Sequence, residues 1–186
     1  MQDPTLAPIK PVITLAIIIV IAQIPDIHQF MVWDRAEIEA GQWWRIITGN
    51  LTHTNIKHLV INLAGLAALY ALHGRHYDEP LMMPIAGMML MIGLVMFLTP
   101  FDWYAGLSGV LYGLFAWGCV KDITNKFPPG KLLLAGLVIK LIFDSANVGM
   151  GITETLIEAN VAHQAHWAGT LVGVVCAIFS SRKKKT

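Results

Sequence analysis

The sequence predicts an all-α membrane protein with six transmembrane helices in a single domain that covers residues 1–186. Two features of its composition and one of its pattern lead to this prediction. Hydrophobic residues make up 55% of the chain and charged residues only 13%, whereas soluble domains carry about 25% charged residues. So few charges cannot cover the surface of a soluble protein, and so much apolar surface excludes a disordered chain. The apolar residues also fall into six runs, the pattern of a polytopic membrane protein.

The composition indicates a lipid bilayer as the partner of this surface, and the charge balance does not indicate nucleic acid. The 13 Lys and Arg residues nearly balance the 12 Asp and Glu residues, so the formal net charge is only +1. No basic surface of the kind that binds nucleic acid is therefore predicted. Cys119 and Cys176 both lie within apolar runs, so a disulfide framework is not expected.

The six apolar runs define the predicted spans. They cover residues 8–24, 56–73, 81–98, 107–120, 132–147 and 160–180. The first run stops at Pro25, which cannot continue a helix. Because no small-residue cleavage site follows it and further spans come after it, we expect a retained helix and not a signal peptide. The fourth run has only 14 residues, or about 21 Å of helix, which is less than the full hydrocarbon core.

Polar segments separate the later spans. A polar turn at residues 74–80 divides the second span from the third, and a basic tail at residues 182–185 follows the sixth. The fifth span carries Lys140 and Asp144 four residues apart, a spacing that favours a structural ion pair on one helix face.

The distribution of Lys and Arg predicts that both termini are cytoplasmic. Nine of these residues fall on the side that holds the termini and four on the opposite side, and cytoplasmic loops carry the excess of positive charge. The long loop at residues 25–55 then lies on the outer side. Its Trp33, Trp43 and Trp44 are typical of a segment at the headgroup level of a membrane.

Three of the predicted spans carry polar side chains in their outer halves. His58 and Asn62 lie one turn apart on the second span, Ser108 begins the fourth, and His166 lies near the start of the sixth. Polar groups inside a membrane are costly and indicate a functional site. A Ser hydroxyl becomes a nucleophile when an imidazole accepts its proton, and amide or imidazole N–H groups stabilise the resulting oxyanion. These residue types therefore predict acyl transfer.

Glycine spacing explains how Ser108 and His166, which are 58 positions apart in the sequence, could come into contact. The fourth and sixth spans carry small-xxx-small pairs, which let two helices approach closely; these pairs are Gly109 with Gly113 and Gly169 with Gly173. His166 shares a helix face with the second pair, whereas His163 points about 60° away. We therefore expect His166 to be the base.

The same residues also permit other interpretations. A Ser in a membrane helix often bonds to a carbonyl one turn back, and His58 with Asn62 can form interhelical hydrogen bonds. A metal site would need His53 and His58 to converge with His163 and His166. However, there is no H-E-x-x-H motif, and no intramembrane carboxylate adjoins these histidines in the sequence. No metal and no cofactor is predicted.

Four ordered motifs resemble those of the rhomboid intramembrane serine proteases. They are Trp44-Arg45, His53-x4-His58-x3-Asn62, Gly106-Leu107-Ser108-Gly109 with Tyr112, and Ala165-His166-x2-Gly169-x3-Gly173. Their order and their places on the predicted spans agree with that family over nearly the whole chain. The resemblance implies a rhomboid-like bundle and a hydrolase that cleaves single-span membrane proteins near the outer end of the substrate helix.

The resemblance also implies a role for each motif. Ser108 would be the nucleophile and His166 the base of a Ser–His dyad. His58, Asn62 and the Ser108 backbone N–H would form the oxyanion hole. Tyr112 would pack against the base. Further support would come from Arg45 in the outer loop and from Gly106, Gly109, Gly169 and Gly173 around the dyad.

Within that family the chain resembles the rhombosortases, small members of the bacterial inner membrane whose active site faces the periplasm. The resemblance rests on residues 41–50 (GQWWRIITGN) and 103–111 (WYAGLSGVL). It implies substrates with a C-terminal Gly-Gly motif, a transmembrane helix and a basic tail. Two residues depart from the expected patterns: Gly49 stands where many rhomboids have His, and Tyr112 stands where many rhombosortases have His. A non-catalytic rhomboid-like protein that binds membrane clients is the alternative, although it would be expected to lack Ser108 or His166.

Overall fold

Helices occupy the positions of all six predicted spans in the computed structural model, which describes residues 9–77, 81–146 and 151–183. Its helices are α1 Lys10–Ile21, α2 Pro25–Met31, α3 Arg35–Glu39, α4 Arg45–Thr48, α5 Ile56–His73, α6 Met82–Met96, α7 Ser108–Thr124, α8 Gly130–Ser145, α9 Gly151–Ile157 and α10 His163–Lys183. Single 3₁₀ turns lie at Gly49–Leu51 and Gly74–His76. The predictions made for residues 8, 78–80, 147 and 184–185 lie outside the described residues.

The local sequence explains where the first helices begin and end. α1 ends at Ile21 and α2 begins at Pro25, with an angle of 103° between them. Proline lacks a backbone N–H, so it fits the first turn of a new helix but cannot continue an old one. Asn55 starts α5, because its side chain accepts a hydrogen bond of 2.8 Å from the backbone N–H of His58.

α7 is longer than the apolar run that predicts it. The run ends at residue 120, whereas the helix continues to Thr124 and has 17 residues, not 14. The additional turn contains Asp122, which is fully buried, forms an ion pair with Arg75 and is hydrogen-bonded to the His76 ring. This pairing offsets the cost of burying a carboxylate. Apolar character alone therefore ends the predicted element too early.

The segment between α1 and α5 is joined to the chain just before α7 by two short strands. β1 (Trp33–Asp34) pairs in antiparallel register with β2 (Trp103–Tyr104). Arg45 is buried in this segment, and its guanidinium donates a hydrogen bond of 2.8 Å to the carbonyl of Val32. The strand pair thereby anchors the outer segment four residues before Ser108.

α7 lies at the centre of the bundle, where α5, α6, α8 and α10 all pack against it. Leu114 and Trp117 of α7 are buried in the main apolar core, together with Met88 and Ile92 of α6. A helix that contacts its neighbours on every side holds its own first residue firmly. The position of Ser108, the first residue of α7, is set in this way.

Length and composition support one membrane span directly. Among the described residues, the segment Ile56–His76 has a mean hydropathy of 1.3 and is the one helix long and apolar enough by itself to cross a bilayer. α1 and α2 reach that length only as a bent pair. The remaining spans stay predictions of the sequence pattern.

Candidate active site

Ser108 and His166 are in direct contact. The Ser108 Oγ lies 3.0 Å from the His166 Nε2, which is hydrogen-bond distance. Ser108 is the first residue of α7, and His166 lies in the first turn of α10, so both stand at the same end of the bundle. His163 is one turn earlier on α10, and its ring centre is 6.5 Å from that of His166. Of these two histidines, it is therefore His166 whose ring nitrogen reaches the hydroxyl.

Two pairs of glycines allow this contact, because α7 and α10 touch through their backbones. A Cβ atom on Gly113 would lie 2.6 Å from the carbonyl oxygen of Gly169, and a Cβ atom on Gly109 would lie 2.8 Å from that of Ala165. A Cβ atom on Gly169 or on Gly173 would overlap a carbonyl oxygen of α7. Any larger side chain at these positions would therefore separate the two helices that carry Ser108 and His166. This is the arrangement that the glycine spacing predicts.

The imidazole of His58 lies beside the turn that leads into Ser108. Gly106 in this turn has a φ of +147°, which favours glycine. A Cβ atom on Gly106 would lie 3.0 Å from the His58 Cε1 and 3.9 Å from the Ser108 Oγ. The His58 Nδ1 is 3.1 Å from the Thr54 hydroxyl, and this contact leaves the Nε2 edge of the ring towards the turn. His58 thus borders the space next to the Ser108 hydroxyl.

Asn62 faces the same cavity one helical turn after His58. Its side chain is buried, and its amide nitrogen donates a hydrogen bond of 3.0 Å to the His58 carbonyl of its own helix. An amide nitrogen carries two N–H groups, so one remains available to a ligand. The structure thereby brings three of the predicted site residues, Ser108, His58 and Asn62, to one cavity.

Tyr112 lies flat against His166. Their ring centres are 4.1 Å apart and their planes differ by 5°. The Tyr112 hydroxyl donates a hydrogen bond of 2.9 Å to the carboxylate of Asp144, which is also bound by the Lys140 ammonium. The Lys140–Asp144 pair is present as predicted, but it contacts the predicted site through Tyr112, which the sequence does not reveal.

Two cavities with shared lining residues border Ser108. The first, of about 370 Å³, is lined by Ser108, His166, His58 and Asn62 together with residues of α9 and of the segment that follows it. The second, of about 590 Å³, is an apolar groove between α5 and α8. Ser108, Asn62, Tyr112 and Lys140 line both. The hydroxyl therefore stands where a polar cavity meets a groove lined by helix faces.

His53 and Arg45 support the site from outside the cavities. His53 lies in the loop before α5, and its ring is 1% exposed and packs edge-on against the His58 ring at 5.0 Å. Burial lowers the pKa of His53 to about 3, so its ring is neutral. Arg45 contacts Val32 and the side chain of Gln42 in the outer segment. Neither residue lines the cavity that contains Ser108.

Sequence reasoning missed two contacts of the site, those of Thr54 and of Asp144. A carboxylate inside an apolar span was the available signal for Asp144, whereas nothing in the sequence distinguishes Thr54 from other loop hydroxyls. The metal hypothesis gains no support: within residues 9–77, 81–146 and 151–183, no three His, Cys, Asp or Glu side chains are grouped as metal ligands.

The fold is a helical bundle with a Ser–His contact at the end of its central helix. Residues 40–183 match the Rhomboid domain family. The chain belongs to this family, which consists of integral membrane proteins that are intramembrane serine proteases. The chain is also 25% identical over 167 residues to the rhomboid protease GlpG of Haemophilus influenzae. The aligned region covers 86% of this chain and 81% of that protein.

Proposed function

We propose that this protein is an intramembrane serine endopeptidase in which Ser108 is the nucleophile and His166 the general base. The observation that carries the proposal is the distance of 3.0 Å between the Ser108 Oγ and the His166 Nε2. A hydroxyl next to an imidazole nitrogen can pass its proton to that nitrogen as it attacks a carbonyl carbon. The non-catalytic alternative gives no reason for this contact inside a cavity.

The proposed reaction uses the dyad twice. The Ser108 Oγ attacks the scissile carbonyl carbon while its proton moves to the His166 Nε2, which forms a tetrahedral intermediate with a negative oxygen. This oxygen accepts hydrogen bonds from Asn62, His58 and the Ser108 backbone N–H. The intermediate then expels the amine, which takes the proton from His166, and leaves an acyl-enzyme. Water then attacks the acyl carbon while its proton moves to His166. The second tetrahedral intermediate expels the Ser108 Oγ, which takes that proton back from His166, and the new carboxyl group is released.

The groove between α5 and α8 supports a transmembrane helix as the substrate. Its walls are apolar and lead directly to Ser108, Asn62 and Tyr112, so a lipid-exposed helix can lie in it without exposing apolar surface to water. The backbone of such a helix is already hydrogen-bonded, so it must unwind locally before Ser108 reaches a carbonyl. The polar cavity at the same end offers room for the unwound segment and for the water of deacylation.

The excess of Lys and Arg on the side that holds the termini supports a six-span topology in which both termini are cytoplasmic. Ser108 then lies near the outer end of its span, which is the periplasmic side in a bacterial inner membrane. We therefore propose cleavage near the periplasmic end of the substrate helix. The resemblance to rhombosortases further supports a C-terminal sorting tail as substrate, with a Gly-Gly pair before the helix and its basic end.

Cleavage of a defined tail in lipid vesicles tests the proposal. The substrate is one single-span protein with a Gly-Gly pair before its helix and a basic tail, paired with a version that has Leu-Leu instead. We expect cleavage close to the Gly-Gly pair and strongly reduced cleavage of the Leu-Leu version, because Leu favours helix and blocks close backbone approach. Equal cleavage of both contradicts the sorting-tail substrate alone, whereas binding without cleavage supports the non-catalytic alternative.

A further inference from the structure

The base of the proposed dyad has no carboxylate partner of its own. Within the described part of the chain, the His166 Nδ1 is buried without a hydrogen-bond partner. In many serine hydrolases this nitrogen is held by an acidic side chain, which fixes the ring and its tautomer. Here the ring contacts the Ser108 hydroxyl at one edge and the Tyr112 ring on one face. The orientation of His166 therefore depends on how firmly Tyr112 is held.

Tyr112 is held at its hydroxyl by a buried carboxylate on another helix. Its hydroxyl donates to the Asp144 Oδ2 at 2.9 Å, and Asp144 is only 2% exposed. A hydrogen bond to an ionised acceptor is stronger than one between neutral groups. The hydroxyl contact fixes the position of the Tyr112 ring. The tilt of the ring plane is fixed by packing, because the ring can still rotate about its Cβ–Cγ bond. Asp144 thereby sets the surface on which His166 stacks.

The charge of Asp144 is balanced from the side of the groove. The Lys140 ammonium binds the other carboxylate oxygen, one helical turn earlier on α8. The Lys140 side chain is 58% exposed and lines both cavities that meet at Ser108. A buried carboxylate is costly unless it is paired, and the Lys140 ammonium supplies that pairing on the oxygen that Tyr112 does not use. A continuous series of side-chain contacts therefore leads from the groove to the base, in the order Lys140, Asp144, Tyr112 and His166.

We propose that Asp144 is a positioning residue for the Ser108–His166 dyad, acting through the Tyr112 hydroxyl. This inference rests on the proposed protease activity and concerns how its base is oriented. Among the described residues, Asp144 forms its side-chain hydrogen bonds with Tyr112 and Lys140 and none with Ser108 or His166, so it takes no part in the chemical step itself. Its function is to keep the Tyr112 ring where His166 needs a flat apolar surface.

The test is a set of variants compared by kcat and KM on one cleaved substrate in lipid vesicles. Asp144→Ala removes the acceptor, and we expect kcat to fall about tenfold or more with little change in KM, since one charge-assisted hydrogen bond is lost. Asp144→Asn keeps an acceptor oxygen, so it should recover much of the activity. Tyr112→Phe should lose about as much as Asp144→Ala. The double variant Asp144→Ala/Tyr112→Phe should lose no more kcat than either single variant, because each substitution removes the same hydrogen bond between Tyr112 and Asp144.

Ser145 provides the matched control, because it joins the same end of α8 to α10. The indole Nε1 of Trp167 donates a hydrogen bond of 2.9 Å to the Ser145 Oγ, and this contact bypasses Tyr112. Ser145→Ala should therefore leave kcat nearly unchanged. An equal loss of kcat in Ser145→Ala and Asp144→Ala, or additive losses from Asp144→Ala and Tyr112→Phe, would overturn the inference. An unsubstituted protein that does not cleave the substrate would contradict the proposed function instead.

Discussion

Substituting Gly113 by Ala should disable the site without unfolding the protein. The added Cβ atom would lie 2.6 Å from the Gly169 carbonyl oxygen, and ordinary contacts begin near 3.4 Å. The Met88 sulfur, at 2.7 Å, belongs to a flexible side chain and can move away. The Gly169 oxygen is part of the α10 backbone, so α7 and α10 must separate by about 0.8 Å at this point.

That separation is large on the scale of the dyad. Gly169 lies three residues after His166 on α10, so a displacement of the helix moves the imidazole as well. The distance between the Ser108 Oγ and the His166 Nε2 would increase from 3.0 Å to as much as about 3.8 Å, beyond hydrogen-bond range. A misplacement of about 1 Å can lower a rate about 10²-fold. We therefore expect kcat to fall about tenfold to a hundredfold.

Stability should change much less than activity. Overpacking a core costs about 1–3 kcal/mol, while replacing Gly by Ala inside a helix recovers about 1 kcal/mol. The assay is kcat on a single-span substrate in lipid vesicles, together with the thermal unfolding midpoint in detergent. Gly87→Ala is the matched control, since a Cβ atom there would meet only Val172 of α10, at 4.0 Å. Equal activity of Gly113→Ala and Gly87→Ala would refute the reasoning.

Three further predictions concern histidines and an amide near the site. His166→Ala should abolish cleavage whereas His163→Ala should keep substantial activity, as kcat measurements will show; the reverse result would reassign the base. Asn62→Ala and His58→Ala should each lower kcat about 10²–10³-fold with a smaller change in KM, and a loss of thermal stability with normal turnover would mean that both are structural. Because burial lowers the pKa of His53 to about 3 and an unfolded His titrates near 6.5, the unfolded state binds more protons between these values. The unfolding midpoint should therefore fall as pH drops from 7 to 5, and less so in His53→Gln.

The arrangement of the bundle was largely accessible from the sequence. The apolar runs located helices at all six predicted spans, because burial in lipid or in a helical core requires the same continuous apolar character. The two glycine pairs predicted the contact of α7 with α10, since only residues without side chains permit backbones to touch. The end of α7 was not accessible in this way, because the helix continues through Asp122, whose carboxylate is paired with Arg75 and hydrogen-bonded to His76.

Part of the candidate site was also accessible from the sequence, and part was not. Ser108 and His166 were predicted from residue types that are costly in a membrane and therefore conspicuous in an apolar run. The contact of Asp144 with Tyr112 was not predicted, since it joins residues 32 positions apart and depends on how α8 is rotated about its axis. A carboxylate inside an apolar span marks Asp144 as unusual, but the ion pair at i and i+4 accounts for it locally, and the sequence does not identify Tyr112 as its second partner. Burial of His53 against His58 likewise follows from the fold of the outer segment alone.

Labelling by a fluorophosphonate probe tests the central claim most directly, because such a probe reacts with a Ser hydroxyl only when a base has activated it. The purified protein in lipid vesicles is treated with the probe, and the modified residue is located by mass spectrometry. We predict a label on Ser108, none on Ser145, no labelling of Ser108→Ala, and a strong decrease in His166→Ala. A label on a different serine, or cleavage of substrate by Ser108→Ala, would contradict the assignment of Ser108 as the nucleophile.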